Sequence, residues 1–445
     1  MPKPVRLLSQ LDSGAPRLPL ARALAPLPPA SRRLLRAVAA QAEAQRLPLY
    51  IVGGYVRDML LGRPSLDLDL VVEGDAVAFG RSLQRGLGGE LFPHKPFGTA
   101  VWRLAPGRGL PEFVDLISAR RETYARPGAL PNVAFSNIAD DQFRRDFTIN
   151  TLALRLDGPQ AGQILDAWGG LADLRSGLIR VLHGQSFSDD PTRILRALRF
   201  SGRLDFRLER KTLQQLRADV GNIDAVSGER IYKELELTLL EPQRATILHS
   251  LQRYKVLRAI SASLRFDERR AAGLARSVLP GAEWGFSTTW AQLGFTLWFA
   301  QLIPAAVMAA VERLRFNSAM TDAVMAATAL HAHAAKFAAL PVSAFTHHMD
   351  LMPRLALYAA YLLQPRGAYR SCLLRYAREW RHVQAHTRGQ DLLKRGVKPG
   401  PAYKYILYML RAAWLDGKVK TKKQELALLD KLLREPLPEV VRESN

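Results

Sequence analysis

Asp67 and Asp69 stand two residues apart in Leu66-Asp67-Leu68-Asp69-Leu70-Val71-Val72, where apolar and acidic residues alternate. Alternation at period two predicts a strand over 66–72, with both carboxylates on one face and the leucines turned into a core. Two like charges on one face repel each other unless a cation lies between them. A few hard oxygen ligands, completed by substrate phosphates, are how proteins hold Mg2+; the competing reading is a solvated strand face. Upstream, Gly53-Gly54 falls between a predicted strand, Leu49–Val52, and a predicted helix, Val56–Leu61. Glycines there let backbone N–H groups approach an anion, and the helix N-terminus adds its positive dipole. A phosphate cradle shortly before a carboxylate pair describes a site for a nucleoside triphosphate with Mg2+. Asp115, in Phe113-Val114-Asp115-Leu116-Ile117, lies on another predicted strand. It is either a third carboxylate that deprotonates an attacking hydroxyl or a structural partner of Arg120 or Arg121.

The elements that must position these groups form a mixed head. Helices are predicted over 34–46 and 76–87, and strands over 99–104, 112–117 and 150–156. From Asp190 onward apolar residues recur at three- and four-residue spacing, which predicts helices almost to the end. Phe286 to Val311 carries no charge and is long enough to span a bilayer, but Pro304 interrupts it, which predicts two buried helices instead.

Composition bounds the function classes. The chain has 445 residues, 48% of them hydrophobic and 23% charged, which excludes general disorder. One cysteine, Cys372, excludes an intrachain disulfide and a cysteine metal cluster, and makes a reducing, cytoplasmic location the default. The net charge is +22, distributed as +6 over residues 1–50, +1 over 51–250 and +15 over 251–445. A near-neutral middle between basic ends separates chemistry from binding of a polyanion, nucleic acid before membrane. The first 30 residues hold seven prolines and read as a disordered arm. The pairs His331/His333, His347/His348 and His382/His386 lack the acidic neighbours of metal motifs and read as solvated or core histidines.

Four ordered segments carry a resemblance. They are Leu49–Gly62 with Asp67-Leu68-Asp69; Arg144-Arg145-Asp146-Phe147-Thr148-Ile149-Asn150; Asp166-Ala167-Trp168-Gly169-Gly170-Leu171-Ala172-Asp173-Leu174 with Ile179-Arg180; and Asp189-Asp190-Pro191-Thr192-Arg193-Ile194-Leu195-Arg196-Ala197-Leu198-Arg199-Phe200. Together they resemble class II tRNA nucleotidyltransferases and bacterial poly(A) polymerases. The resemblance implies a polymerase-β-like α/β head followed by an all-α neck, body and tail. Its divisions are an arm 1–30, head 31–182, neck 183–246, body 247–385 and tail 386–445. It also implies two Mg2+ ions on Asp67 and Asp69, and CTP, ATP and a tRNA 3′ end as partners, with no membrane. Gly53, Gly54, Arg57, Arg145, Arg196 and Arg199 would lie in the nucleotide site, the last two at the phosphates. Arg120, Glu122, Tyr124 and Pro127-Gly128 resemble a mobile segment that helps switch between C and A addition.

Asp190 and Arg193 match the family's base-reading pair, and base chemistry explains why. Cytosine and adenine both present an amino donor beside a ring-nitrogen acceptor; uracil and guanine present the reverse. One acceptor beside one donor therefore takes C and A and rejects U and G. At the other end, Gly389–Tyr403 and Leu415–Val419 resemble the tail of the bacterial tRNA enzymes. A Gly/Pro turn ringed by Lys394, Arg395, Lys398 and Lys404 suits a phosphate backbone. That tail favours a tRNA enzyme over the alternative, a poly(A) polymerase, and the intact carboxylate pair argues against a noncatalytic RNA-binding protein. Addition of CCA, of CC alone or of A alone all fit these motifs, and oligomeric state has no signature here.

Overall fold

The computed structural model describes residues 8, 11, 16–63, 67–107, 109–123, 126 and 131–434. The chain divides into two compact units: residues 1–234 with 253–259, and residues 235–252 with 260–445.

Over its described residues, the first unit begins with segments that dock on the head. Over 16–30 this differs from the reading of a disordered arm; residues 1–7, 9, 10 and 12–15 of that arm lie outside the described residues. Leu18, Leu24 and Leu27 are buried, and the Arg17 guanidinium donates to the carbonyls of Pro159 (2.8 Å) and Ala161 (3.2 Å). A short helix α1 (Leu20–Ala23) leads to α2 (Pro29–Ala44), with Pro29 at its N-terminus, where a missing N–H costs nothing. Pro19, Pro28 and Pro29 stand at helix starts, and Leu18, Leu24 and Leu27 are anchors.

The head is built on a mixed sheet of strands β1 (Leu49–Val52), β2 (Asp69–Val72), β3 (Glu90–His94), β4 (Thr99–Arg103), β5 (Phe113–Ser118), β8 (Ala153–Arg155) and β9 (Ile164–Leu165). Among the described residues their order is β3-β4-β5-β2-β1-β8-β9, and only β2 and β5 run parallel. That parallel pair sets Asp69 directly beside Asp115 in register. The strand expected over 66–72 begins at Asp69; Leu66 lies outside the described residues, and exposed Asp67 sits just ahead of the strand. A separate ribbon pairs β6 (Arg120–Thr123) with β7 (Asn132–Phe135). Tyr124 and Pro127-Gly128, the core of the expected mobile segment, lie outside the described residues.

Helices α3 (Gly54–Leu60), α4 (Ala76–Leu87), α5 (Ile138–Phe143), α6 (Gly170–Ser176), α7 (Ser186–Asp189), α8 (Thr192–Leu204) and α9 (Arg210–Asp219) complete this unit, with the first turns of α10 (Gly228–Leu240). Asp75 caps α4 by accepting from the backbone N–H groups of Val77 and Ala78. On α8, Ile194, Leu195 and Leu198 are buried.

The second unit is helical throughout its described residues. The uncharged stretch forms two helices, Trp290–Phe299 and Pro304–Leu314, as the proline dictates. Phe295, Trp298, Phe299 and Phe316 pack edge-on and stacked in its core. Among the described residues no helix is long and apolar enough to cross a membrane. Leu392, Ile406, Leu410, Leu429 and Leu432 form a further core for helices Gly389–Lys394, Pro401–Leu415 and Lys422–Arg434.

Candidate active site

The register sets Asp69 beside Asp115, and Asp67, just ahead of the strand, is near enough for its charge to act on both. Burial pushes the Asp69 carboxyl up to about 6; the nearby Arg145 cation opposes this, and the charges of Asp67 and Asp115 add to it. Asp115 is also raised, by burial and then by Asp67. Arg120 donates to Glu122 (2.7 Å) and to the Phe97 carbonyl (2.7 Å). Its guanidinium is therefore committed elsewhere than to Asp115. A buried carboxylate that resists ionising beside two others is a donor set that suits a hard divalent cation. In the observed side-chain positions no three His, Cys, Asp or Glu residues among those described converge to ligate one ion. Carboxylates and substrate phosphates would have to share the shell, as Mg2+ generally requires.

Gly53 follows β1 with φ +64°, a backbone region that costs any other residue strain. A Cβ there would lie 2.9 Å from Arg145 Nη1, so the turn brings main chain and guanidinium close together. Gly54 opens α3, and the Cβ it lacks would meet ordinary contacts only.

The arginines expected at the nucleotide are held by acidic and amide partners, some adjacent in sequence and some from distant segments. Arg57 is buried and donates to both oxygens of Asp58 (2.8 Å each) and to Asn150 Oδ1 (2.5 Å). Arg144 and Arg145 both donate to the fully buried Asp141, at 2.6 and 2.9 Å. Burial alone would raise the Asp141 carboxyl, but these two cations hold it below its ordinary value. Asp146 is governed in the same way: burial would raise it, and Arg196 with the Asn150 amide holds it at about 2. Arg196 reaches Asp146 (2.6 Å) and Glu234 (3.3 Å), while Arg199 reaches Glu234 (3.0 Å). Arg57, Arg196 and Arg199 surround the Phe200 ring at 5.0, 5.5 and 5.0 Å. α8 thus presents its basic face to a buried acidic network.

The two residues expected to read a base are held separately. Arg193 is 5% exposed; it donates to Ser186 Oγ and to the Arg144 carbonyl, both at 2.8 Å. Asp190 accepts from Thr192 N–H (3.1 Å), from Thr192 Oγ1 (2.6 Å) and from Arg230 on α10 (2.7 Å). Beside them opens a cleft of about 380 Å3, lined by Arg144, Arg193 and Asp189 among others. The tail cations Lys394, Arg395, Lys398 and Lys404 are all exposed in the second unit, with Arg395 ion-paired to Asp430.

Sequence reasoning missed Asp141, Arg230 and Glu234. Asp146 lay inside a quoted motif without a role. Asp141 carried a local signal, three and four residues before two arginines, where a helix pairs them. Glu234 carried none, because its partners lie 35 and 38 residues away.

Comparison with known proteins agrees with this geometry. Residues 49–180 match a model described as the poly A polymerase head domain, and residues 205–264 one described as the probable RNA and SrmB-binding site of polymerase A. An A-adding tRNA nucleotidyltransferase of Halalkalibacterium halodurans is 36% identical over 406 residues, 88% of this chain and 91% of that protein. One from Geobacter sulfurreducens is 30% identical over 91% of this chain and 47% of its own length. A CC-adding tRNA nucleotidyltransferase of Deinococcus radiodurans is 40% identical over 44% of this chain and 50% of its own length. A Thermotoga maritima CCA-adding enzyme solved with tRNA has 26% identity and a TM-score of 0.72, covering 93% of this chain and 98% of that one. With two family models in order and a relative 36% identical over 91% of its own length, the chain belongs to the tRNA nucleotidyltransferase and poly(A) polymerase family.

Proposed function

We propose that this protein is a template-independent tRNA nucleotidyltransferase that adds a single AMP to tRNA already ending in CC. The observation that carries the transfer chemistry is Asp69 set beside Asp115 in register and two residues after Asp67, with its carboxyl raised to about 6 by burial and like charge. Two Mg2+ ions held by Asp67 and Asp69 would lower the pKa of the terminal 3′-hydroxyl and offset charge on the departing pyrophosphate. Asp115, adjacent in register and raised by burial, is suited to accept the proton that this hydroxyl gives up. Asp190 and Arg193 serve as the base-reading pair, each anchored by neighbours and so aligned before the nucleotide arrives. Gly53, Gly54, Arg57 and Arg145 make up the nucleotide site, with Arg196 and Arg199 bracing its helix from the Asp146 and Glu234 side. The domains follow as a head to 182, a neck to 246, a body to 385 and a tail from 386, in which Lys394, Arg395, Lys398 and Lys404 face the RNA backbone. A cytoplasmic location fits the lone cysteine.

Preference for A alone rests on the relatives: those aligned over nine-tenths or nearly so of this chain are named A-adding, whereas the CC-adding one aligns over 44%. Three tRNAs, ending before the first C, after one C and after CC, incubated with CTP and ATP separately, test it. Only the third should gain a nucleotide, and only from ATP. Incorporation of CMP into the first two would show CC or CCA addition instead.

A further inference from the structure

Phe143, Trp168 and His183 form a run of rings, of which Phe143 and His183 line the cleft beside Arg193 and Trp168 packs against Phe143. Phe143 lies 4.9 Å from Trp168 and 5.1 Å from His183, centroid to centroid, each pair tilted. Phe143 is 42% exposed and Trp168 36% exposed. Large rings left open side by side mark a binding surface more often than a packing accident. Phe143 and His183 line the same cleft of about 380 Å3 as Arg193, a volume within the range of small-ligand sites.

The rings are also held in place. Trp168 lies between Asp166, whose carboxylate accepts from the backbone N–H groups of Gly170 (2.6 Å) and Leu171 (3.0 Å), and the left-handed Gly169. Phe143 ends α5 and directly precedes Arg144, whose carbonyl accepts from Arg193. The ring thus stands one residue from the carbonyl that holds the polar reader. His183 Nε2 stands 3.9 Å from Asp189. Burial and the neighbouring Arg193 cation lower the imidazole below its ordinary value, so it stays neutral at pH 7 and adds no charge to the wall.

We propose that Phe143 and Trp168, backed by His183, are a stacking platform for the base of the incoming nucleotide, which Arg193 reads from the adjoining wall. The proposal rests on the transferase reading above. The occupant is the incoming base rather than the tRNA end because Phe143, against which Trp168 packs, shares one cleft with the base-reading arginine. Stacking is sequence-tolerant, so the platform supplies affinity and leaves choice to the polar groups. A purine presents the larger face, which accords with ATP as substrate.

The test uses the full-length protein with Mg2+ and the variants Phe143→Leu and Trp168→Leu. Phe143→Tyr and Trp168→Phe serve as ring-preserving partners. Equilibrium dialysis should show the leucine variants binding ATP about tenfold more weakly, the loss of one base stack, with the ring-preserving variants near wild type. The affinity for tRNA ending in CC should stay within about twofold, a bound chosen well inside that tenfold loss. Unchanged ATP affinity in both leucine variants would overturn the platform, as would a loss confined to tRNA binding. Both variants replace partly exposed rings, and thermal melts of each check folding. Wild-type protein that binds ATP but transfers nothing would strike the transferase reading and leave the platform standing.

Discussion

Asp69 is partly buried beside two like charges, and its protonation therefore couples to folding. Its folded carboxyl sits at about 6, above the ordinary 3.8. The folded state holds this proton more tightly than the unfolded chain. The associated stability is complete below about pH 4 and is lost as pH rises through 6. In a chelating buffer, Asp69→Asn should gain thermal stability relative to wild type on going from pH 5 to pH 8. An unchanged difference in melting temperature across that range would refute the coupling. Glu234 is the opposite case, a carboxylate that two cations need. Glu234→Gln removes the shared charge between Arg196 and Arg199 and should cost about 3–5 kcal/mol in denaturant unfolding, the usual penalty for breaking a buried pair. At this scale the sequence was legible where chemistry is local: Asp67 and Asp69 stand in one strand run, and Gly53 in one turn. It was not legible for Arg196 and Arg199. Periodicity put them on one face of a helix, but nothing in their neighbourhood reveals that Asp146 and Glu234 fold back onto that face.

β2 and β5 do the positioning at the level of elements. Their parallel pairing is what brings Asp115 to Asp69 from 46 residues away. Alternation in each strand was readable from sequence, whereas their register was not, since pairing is set by the sheet order around them. β2 also starts later than alternation suggested, leaving Asp67 on the approach to the strand. The turn into α3 depends on Gly53. Gly53→Ala forces φ +64° on an L residue and pushes a methyl against Arg145, and should cost about 1–3 kcal/mol by chemical denaturation. A destabilisation under about 0.5 kcal/mol, the range of ordinary surface changes, would mean that the turn relaxes freely. The N-terminal segments show the converse error. Proline content suggested disorder, yet tertiary anchors at Leu18, Leu24 and Leu27 decide the matter, and such anchors have no periodic signature when the elements are this short.

Across the whole molecule the charge is divided by task. The near-neutral stretch over residues 51–250 balances its cations with nearly as many acids, some of them in networks such as Asp141 with Arg144 and Arg145, while residues 251–445 carry +15. Lys394, Lys398 and Lys404 belong to that excess and are exposed; Arg395 is partly offset by Asp430. Changing the three lysines together to glutamine should weaken tRNA binding. It should also flatten the salt dependence by roughly 0.7–0.9 logarithmic units for each RNA phosphate that a lysine neutralises. ATP affinity should not move. An unaltered salt slope would remove the tail from the RNA interface. A mixed head and a helical remainder were readable from periodicity, which averages over many residues, and the split at Pro304 from the proline itself, whereas the polymerase-β-like fold class came from the family resemblance. The central claim is that the Asp67 and Asp69 site transfers a nucleotide to a tRNA 3′ end. Its most direct test is incorporation from radiolabelled ATP with Mg2+ into tRNA ending in CC, by wild type and by Asp69→Ala. One AMP per tRNA from wild type and none from the variant, with tRNA affinity retained, is the predicted result; no transfer by wild type, or equal transfer by the variant, would contradict it.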